Sequence, residues 1–106
     1  ELKRRSLFRN PRGPLWDRSL ARGGKEALAE LKRSLRLLDA RRMVVGHTPT
    51  ESVPGAEKGH VATRFGGRLV LVDVGLGEGD SAPRAALVVE NGRGLEWTPA
   101  KTRVLW

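Results

Sequence analysis

Cysteine is absent from this chain of 106 residues. Its absence excludes disulfide bonds and thiolate metal sites, and it leaves the redox compartment of the protein open. Any bound metal would have to be held by histidine, carboxylate or amide groups. The chain contains only two histidines, His47 and His60.

Long hydrophobic runs are also absent. No apolar stretch approaches the roughly 20 residues that a transmembrane helix requires. The basic start at residues 1–6 is not followed by the apolar stretch of a secretory signal. The sequence therefore predicts no membrane segment, and it leaves both a cytoplasmic and a periplasmic location open.

Acidic residues are few relative to basic ones: 12 against 20, which gives a net charge of +8. Such an excess favours a polyanionic partner, for example nucleic acid or a phosphorylated substrate. The basic residues are spread along the chain rather than clustered, and they do not outline a nucleic-acid surface. With 39% hydrophobic and 30% charged residues, the composition is typical of a globular protein, and nucleic acid is not the partner that we expect.

A helical pattern begins at Lys25 and runs to about Asp39. Leucines recur there at steps of three and four with charged residues between them, which predicts an amphipathic helix. These leucines are Leu28, Leu31, Leu35 and Leu38. Their stripe is typical of a helix face that packs on a sheet, and a partner-binding helix is the alternative. The preceding residues 1–24 are basic and rich in Gly and Pro, which favours an extended or loop segment.

Short apolar runs and turn residues make up the rest of the chain. Residues 43–45 predict a buried strand, and residues 48–59 predict a long surface loop. The pairs Gly66-Gly67 and Asn91-Gly92 predict two hairpin turns, and residues 101–106 predict a final strand or a disordered end. The predicted fold class is α/β (α+β), with one amphipathic helix plus mostly antiparallel strands in a single domain.

His47 is the most informative candidate for chemistry. It follows the first predicted strand and Gly46, at the edge where α/β folds place reactive groups. A neutral imidazole there can bind a divalent metal through one nitrogen while a hydrogen bond orients the other. The residue alone is equally compatible with a structural histidine in a loop.

Three motifs occur in order along the chain. They are Gly-Pro-Leu-Trp-Asp-Arg at residues 13–18, Val-Val-Gly-His-Thr-Pro at residues 44–49, and Gly-Arg-Leu-Val-Leu-Val-Asp-Val-Gly at residues 67–75. The set resembles the closing motifs of calcineurin-like metallophosphatases, in the bacterial branch similar to protein serine/threonine phosphatases. The resemblance implies that residues 1–106 are the C-terminal part of a single metallophosphatase-type α/β sandwich domain.

The resemblance also implies a site with two divalent metal ions, which activate a hydroxide that attacks phosphorus. His47 matches a ligand of one metal, and Mn, Fe, Zn and Mg are all compatible with such ligands. Arg18 matches an arginine that contacts the substrate phosphate, the alternative being a solvated surface arginine. Pro49 stands where many relatives carry a second histidine, which indicates the protein-phosphatase and dinucleoside-polyphosphatase branch.

Three other residues are interpreted in less specific terms. Trp16 is interpreted as a core anchor rather than a wall of the substrate cleft. Asp73 is interpreted as structural or as supporting the metal ligands, with a backbone group, a His or an Arg as its partner. His60 matches no motif of the family and is interpreted as a loop residue.

The other metal-binding motifs of the family are missing from this sequence, and one imidazole cannot hold two metal ions. We therefore expect a C-terminal portion of a phosphatase that acts on phosphorylated substrates, is inactive alone, and needs the missing N-terminal half of the domain. Two other interpretations stay open. One is a small basic nucleic-acid-binding module without enzymatic activity, and the other is an interaction domain that docks through the leucine stripe.

Overall fold

The structure is a computed structural model, and it describes residues 10, 13, 15–77, 79, 82 and 84–106. These residues form two helices and six short strands, with the strands arranged in two sheets of three. The predicted mixed α/β fold with one main helix and mostly antiparallel strands is confirmed. The first nine residues of the predicted loop at 1–24 lie outside the described part of the chain.

The first helix, α1, spans Ser19–Arg22 in a segment that the sequence predicts to be extended or loop. Asp17 explains why the chain can turn there: its Oδ1 accepts a hydrogen bond from the backbone N–H of Ser19 at 2.8 Å. A side-chain acceptor at a helix start satisfies an N–H group that has no partner within the helix. The prediction was wrong because this single turn has no apolar periodicity of its own.

The main helix, α2, spans Lys25–Leu37. Its buried side chains are Ala27, Leu31 and Leu35, one on each successive turn of the same face. Leu38 lies just past the last helical residue and is 69% exposed, so it does not belong to the buried stripe as predicted. The helix ends there because Asp39 takes a left-handed conformation, with φ at 49°.

The first sheet contains β1 (Met43–Val45), β2 (Ala62–Arg64) and β3 (Leu69–Leu71) in the order β1-β3-β2. Strand β3 pairs in parallel with β1 and antiparallel with β2. The predicted strand at β1 is confirmed, but it is not buried, since Val44 is 49% exposed. Its position explains the exposure, because β1 is an edge strand of the described sheet.

Both predicted hairpins are present. Strands β2 and β3 are joined through Gly66 and Gly67, whose φ angles of 65° and 78° are left-handed. The second sheet contains β4 (Ala86–Glu90), β5 (Arg93–Trp97) and β6 (Thr102–Val104) in that order, all antiparallel.

The turn between β4 and β5 consists of Asn91 and Gly92, again with positive φ angles of 50° and 75°. A two-residue turn with both φ angles positive matches the right-handed twist of the strands that it joins. Strand β6 settles the prediction for residues 101–106 in favour of a final strand.

The first sheet is packed on both of its faces. Leu69 and Leu71 of β3 lie in one cluster with Leu31 and Leu35 of α2. Val70, between them, lies in a second cluster that contains Leu87 and the C-terminal residues Leu105 and Trp106. Alternate residues of a strand face opposite sides of the sheet. Strand β3 is therefore the centre of a helix–sheet–sheet arrangement, and its neighbour β1 carries His47 at its C-terminal end.

Candidate functional site

His47 lies two residues beyond β1, at the edge of the first sheet. Its backbone is left-handed, with φ at 59°, a conformation that costs a non-glycine residue of order 1–3 kcal/mol. The side chain is exposed, and the imidazole has no hydrogen bond to any residue that the structure describes. The histidine is therefore held at the sheet edge with both ring nitrogens available to a ligand.

Arg18 lies immediately before α1 and is half-buried. One of its terminal nitrogens, Nη1, donates to the backbone carbonyls of Leu15 and Asp17, each at 3.2 Å. A guanidinium has five N–H donors in a fixed plane. The two local contacts therefore orient the Arg18 fork and leave donors on Nη2 and Nε for a further acceptor.

His47 and Arg18 line the same cavity, which has a volume of about 570 Å³. We refer to it as the Arg18–His47 cavity. Its walls are largely apolar and include Leu15, Leu20 and Val45. Apolar walls with a few polar groups are typical of small-molecule sites. The two site residues predicted from distant segments are thus brought to one concave surface.

Asp17 also lines the Arg18–His47 cavity, and the sequence did not single it out. Hydrogen bonds from the backbone and the side chain of Ser19 hold the pKa of the Asp17 carboxyl below its ordinary value, and the neighbouring Arg18 adds to this effect. The negative charge of Asp17 therefore accompanies the positive charge of Arg18 at the cavity wall. An aspartate two positions before a helical serine is the sequence signal that could have located it.

The described part of the chain contains no cluster of three or more His, Asp or Glu side chains that could hold a metal ion. A structural or catalytic Zn²⁺ takes at least three protein ligands, and Mg²⁺ or Mn²⁺ takes more oxygen donors. The imidazole of His47 suits one position in such a site. The described residues do not fit a complete dinuclear centre, and no chemical step can be derived through metals from this chain alone.

Asp73 is half-buried and faces the backbone rather than the Arg18–His47 cavity. Its Oδ1 accepts a hydrogen bond from the N–H of Gly75 at 3.3 Å, which is one of the partners that the sequence predicted. Its carbonyl accepts the N–H of Thr50 at 2.8 Å. Asp73 therefore anchors the loop that follows His47 to the end of β3, a structural role.

Trp16 is 53% exposed, so its interpretation as a core anchor is wrong. It is not among the residues that line the Arg18–His47 cavity either. The reason is local: residues 15 and 16 form a turn that precedes α1, and Leu20 and Ala21 of that helix contribute to the core instead.

A second polar cluster joins the loop after His47 to the second sheet. Glu96 of β5 is only 1% exposed, and its Oε1 lies 3.1 Å from Nδ1 of His60 and 3.1 Å from Nη2 of Arg103. Its other oxygen, Oε2, accepts the backbone N–H of Val61. His60 is in a loop as interpreted, but it is a partner of a buried carboxylate, which its position in the sequence did not indicate.

The Glu96 carboxylate is charged despite its burial. Burial raises the pKa of Glu96, but hydrogen bonds from His60 and the Val61 N–H, together with the positive charge of Arg103, outweigh it and lower the pKa below its ordinary value. A carboxylate can only accept hydrogen bonds, so the Nδ1 of His60 carries the hydrogen. The cluster is thus a neutralised structural bridge, and it shares no residue with the Arg18–His47 cavity.

Among the residues that the structure describes, no helix has the length and apolar character needed to cross a membrane. No protein-family model, no curated protein and no solved structure matches the chain. The functional argument therefore rests on the residues themselves and on the cavity that joins them.

Proposed function

We propose that this chain is the C-terminal portion of a dinuclear-metal-dependent phosphoesterase of the calcineurin-like type. The complete enzyme would hydrolyse phosphomonoesters, either phosphoproteins or small phosphate esters, and the chain alone would be inactive. One observation carries the proposal: Arg18 and His47 line a single cavity although they belong to different motifs. A phosphate-binding cation and a metal-binding imidazole are the two groups that such a reaction needs side by side.

Each residue has a defined task in this proposal. Bound metal ions would supply a hydroxide nucleophile and Lewis-acid polarisation of phosphorus. His47 would contribute one nitrogen to that centre, with its partners provided by the missing half of the domain. The free edge of the Arg18 guanidinium would bind two phosphate oxygens, a bidentate arrangement that a planar fork favours.

The backbone at His47 supports the same interpretation. A left-handed φ of 59° is unfavourable for a side chain that has a Cβ, and such residues cluster at functional sites. No contact of the imidazole with a described residue compensates for this cost. Retention of a histidine there is explained when the imidazole binds a ligand.

The test of the metal-ligand role is manganese-dependent hydrolysis of p-nitrophenyl phosphate by the polypeptide that includes the upstream half of the domain. We expect His47→Ala to reduce kcat by at least about 100-fold, because a metal site that loses one ligand binds its ion and orients it poorly. The matched control is His60→Gln, which removes the other histidine but keeps a donor for Glu96. Equal turnover in the two variants would overturn the metal-ligand role.

The role of Arg18 is tested in the same assay. Arg18→Gln removes the charge that would hold phosphate, so we expect kcat/KM to fall by roughly 10- to 100-fold, as for the loss of a charge-assisted hydrogen bond. Arg22→Gln is the control, since Arg22 is exposed on the same short helix and does not line the cavity. A comparable loss in the control would show that only overall charge matters.

The competing proposal is a basic nucleic-acid-binding module. It has one specific observation in its favour: Trp97 is 47% exposed on β5, where a base could stack on it. An RNA mobility shift that weakens with salt, combined with absence of phosphatase activity in the longer polypeptide, would favour this module. Trp97→Ala should then weaken RNA binding, whereas the phosphoesterase proposal expects no effect of that change on turnover.

A further inference from the structure

Four cationic side chains surround a groove at the C-terminal end of α2, on a different part of the molecule from the Arg18–His47 cavity. They are Lys32, Arg36, Arg41 and Arg68, and the groove has a volume of about 470 Å³. Asp39 is the only acidic residue in its lining. We call this the basic groove, and its charge is that of four cations against one carboxylate.

The cations of the basic groove are not neutralised by the protein. None of the four forms an ion pair with a residue that the structure describes. Arg68 donates one hydrogen bond from Nη1 to the carbonyl of Phe65 at 3.0 Å, which positions its guanidinium without removing its charge. Like charges that converge without partners repel one another, and an external anion would relieve that repulsion.

Two leucines stand at the rim of this groove. Leu37 is 76% exposed and Leu38 is 69% exposed, the two highest values among the exposed large hydrophobic residues of the described chain. They lie between Arg36 and Asp39 in sequence, and both of those residues line the groove. Adjacent leucines exposed to this degree beside a cationic surface form a combined apolar and basic patch.

We propose that the basic groove and the Leu37-Leu38 pair together dock this protein on an anionic lipid surface. The groove would receive lipid headgroup phosphates, and the two leucines would enter the boundary between headgroups and acyl chains. Charge complementarity argues for the anion, and the leucines argue for lipid in particular. A soluble polyanion would use the cations alone and would leave the leucines in water.

The docking proposal is independent of the phosphoesterase proposal, because the basic groove shares no lining residue with the Arg18–His47 cavity. It requires no helix that crosses the membrane. It also assigns the leucine stripe of α2 two separate tasks: Leu31 and Leu35 pack inside the protein, whereas Leu37 and Leu38 bind outside it.

The test is co-sedimentation of the chain with phosphatidylcholine vesicles that contain, or lack, phosphatidylserine. We expect binding only when phosphatidylserine is present, and weaker binding as salt is raised. Arg36→Gln with Arg41→Gln should weaken vesicle binding on the order of 30-fold, from about 1 kcal/mol per basic residue near such a surface. The control pair Arg22→Gln and Lys25→Gln removes the same charge away from the groove and should have a smaller effect.

The leucines are tested by Leu37→Ser with Leu38→Ser. Both side chains are exposed, so the variant should fold, and its circular dichroism should match that of the parent chain. We expect vesicle binding to fall roughly tenfold or more, while binding of soluble inorganic polyphosphate stays unchanged. Val88→Thr with Val89→Thr is the matched control, since it removes two exposed apolar side chains on β4.

Each other outcome contradicts the proposal. Vesicle binding that survives the leucine change would mean that the groove binds phosphate without contact with acyl chains. An equal loss in the valine control would point to general hydrophobic adsorption. Binding to polyphosphate or RNA without binding to phosphatidylserine vesicles would assign the groove to a soluble polyanion instead.

Discussion

Glu96 and His60 form a direct contact between the second sheet and the loop that follows β1: Oε1 of Glu96 lies 3.1 Å from Nδ1 of His60. The two residues are 36 positions apart in the chain. Arg103 of β6 contacts the same carboxylate oxygen at 3.1 Å. The buried carboxylate therefore holds three separate segments together, and several stability predictions depend on it.

The pH dependence of stability should report on Glu96. Since the folded-state pKa of Glu96 lies below its ordinary value of 4.5, the ionised group stabilises the fold above that pH. The contribution is lost as the pH falls through the lower, folded-state pKa. Urea unfolding of the parent chain should therefore show a decline in stability below about pH 4.5, and Glu96→Gln should weaken this decline.

At neutral pH we expect Glu96→Gln to lower the free energy of unfolding by about 1–3 kcal/mol, because it leaves buried donors with a poorer acceptor. His60→Gln keeps one donor to Glu96 and should cost less. Identical stability of the parent chain and Glu96→Gln from acidic to neutral pH would contradict the bridging role.

Gly94 is required by the position of Trp106. A Cβ built on Gly94 would lie 2.3 Å from Cζ2 of the Trp106 ring, and no folded protein accommodates that distance without movement. Gly94→Ala should therefore cost about 1–3 kcal/mol of stability, measured by chemical denaturation. Gly77→Ala, where a Cβ meets open space, is the control and should change stability by less than about 0.5 kcal/mol.

A double-mutant cycle isolates the contact between Gly94 and Trp106. In a Trp106→Ala background the Gly94→Ala change should cost little, because the ring that it would strike has gone. If both backgrounds show the same loss, the cost lies in the backbone at position 94 rather than in the ring.

His47 should be replaceable by glycine without loss of stability. A left-handed conformation costs an L-residue about 1–2 kcal/mol, and glycine returns roughly half of that gain as unfolded-chain entropy. We therefore expect His47→Gly to raise the free energy of unfolding by no more than about 1 kcal/mol. Asn91→Gly, at a similar φ of 50°, should gain less because Asn tolerates this region. A clear loss in His47→Gly would reveal a stabilising contact of the imidazole.

The leucines of α2 should divide into two groups by cost. Leu31 is fully buried, so Leu31→Ala should destabilise the protein by about 2–5 kcal/mol through lost contacts and a new cavity. Leu38→Ala should change stability by less than about 0.5 kcal/mol because its side chain is already in water. Equal costs in thermal unfolding would mean that Leu38 is covered in solution.

Elements whose cause is local could be predicted from the sequence. The Asn91-Gly92 turn needs two residues that accept positive φ, and the sequence places such residues there between two apolar runs. The body of α2 follows from leucines at helical spacing. Its end was less predictable, because Leu38 fits the same spacing and only the turn at Asp39 removes it from the helix.

The candidate site was predictable in part. His47 and Arg18 were chosen from motifs, and their shared cavity is the new fact that the structure adds. Asp17 in that cavity was missed because a helix-starting carboxylate looks structural in a sequence. The partnership of His60 with Glu96 could not have been predicted, because no local pattern links residues so far apart.

The sequence by itself determined the elements of this protein: a leucine-patterned helix, glycine turns, β-branched strands and the histidine that follows the first of them. These depend on dihedral preferences and periodic burial, which act between near neighbours in the chain. Only the tertiary structure decided which residues share a surface. It joined Arg18 to His47, neutralised Glu96 and left four cations unpaired beside Leu37 and Leu38, because charge and burial depend on distances between segments that the sequence does not specify.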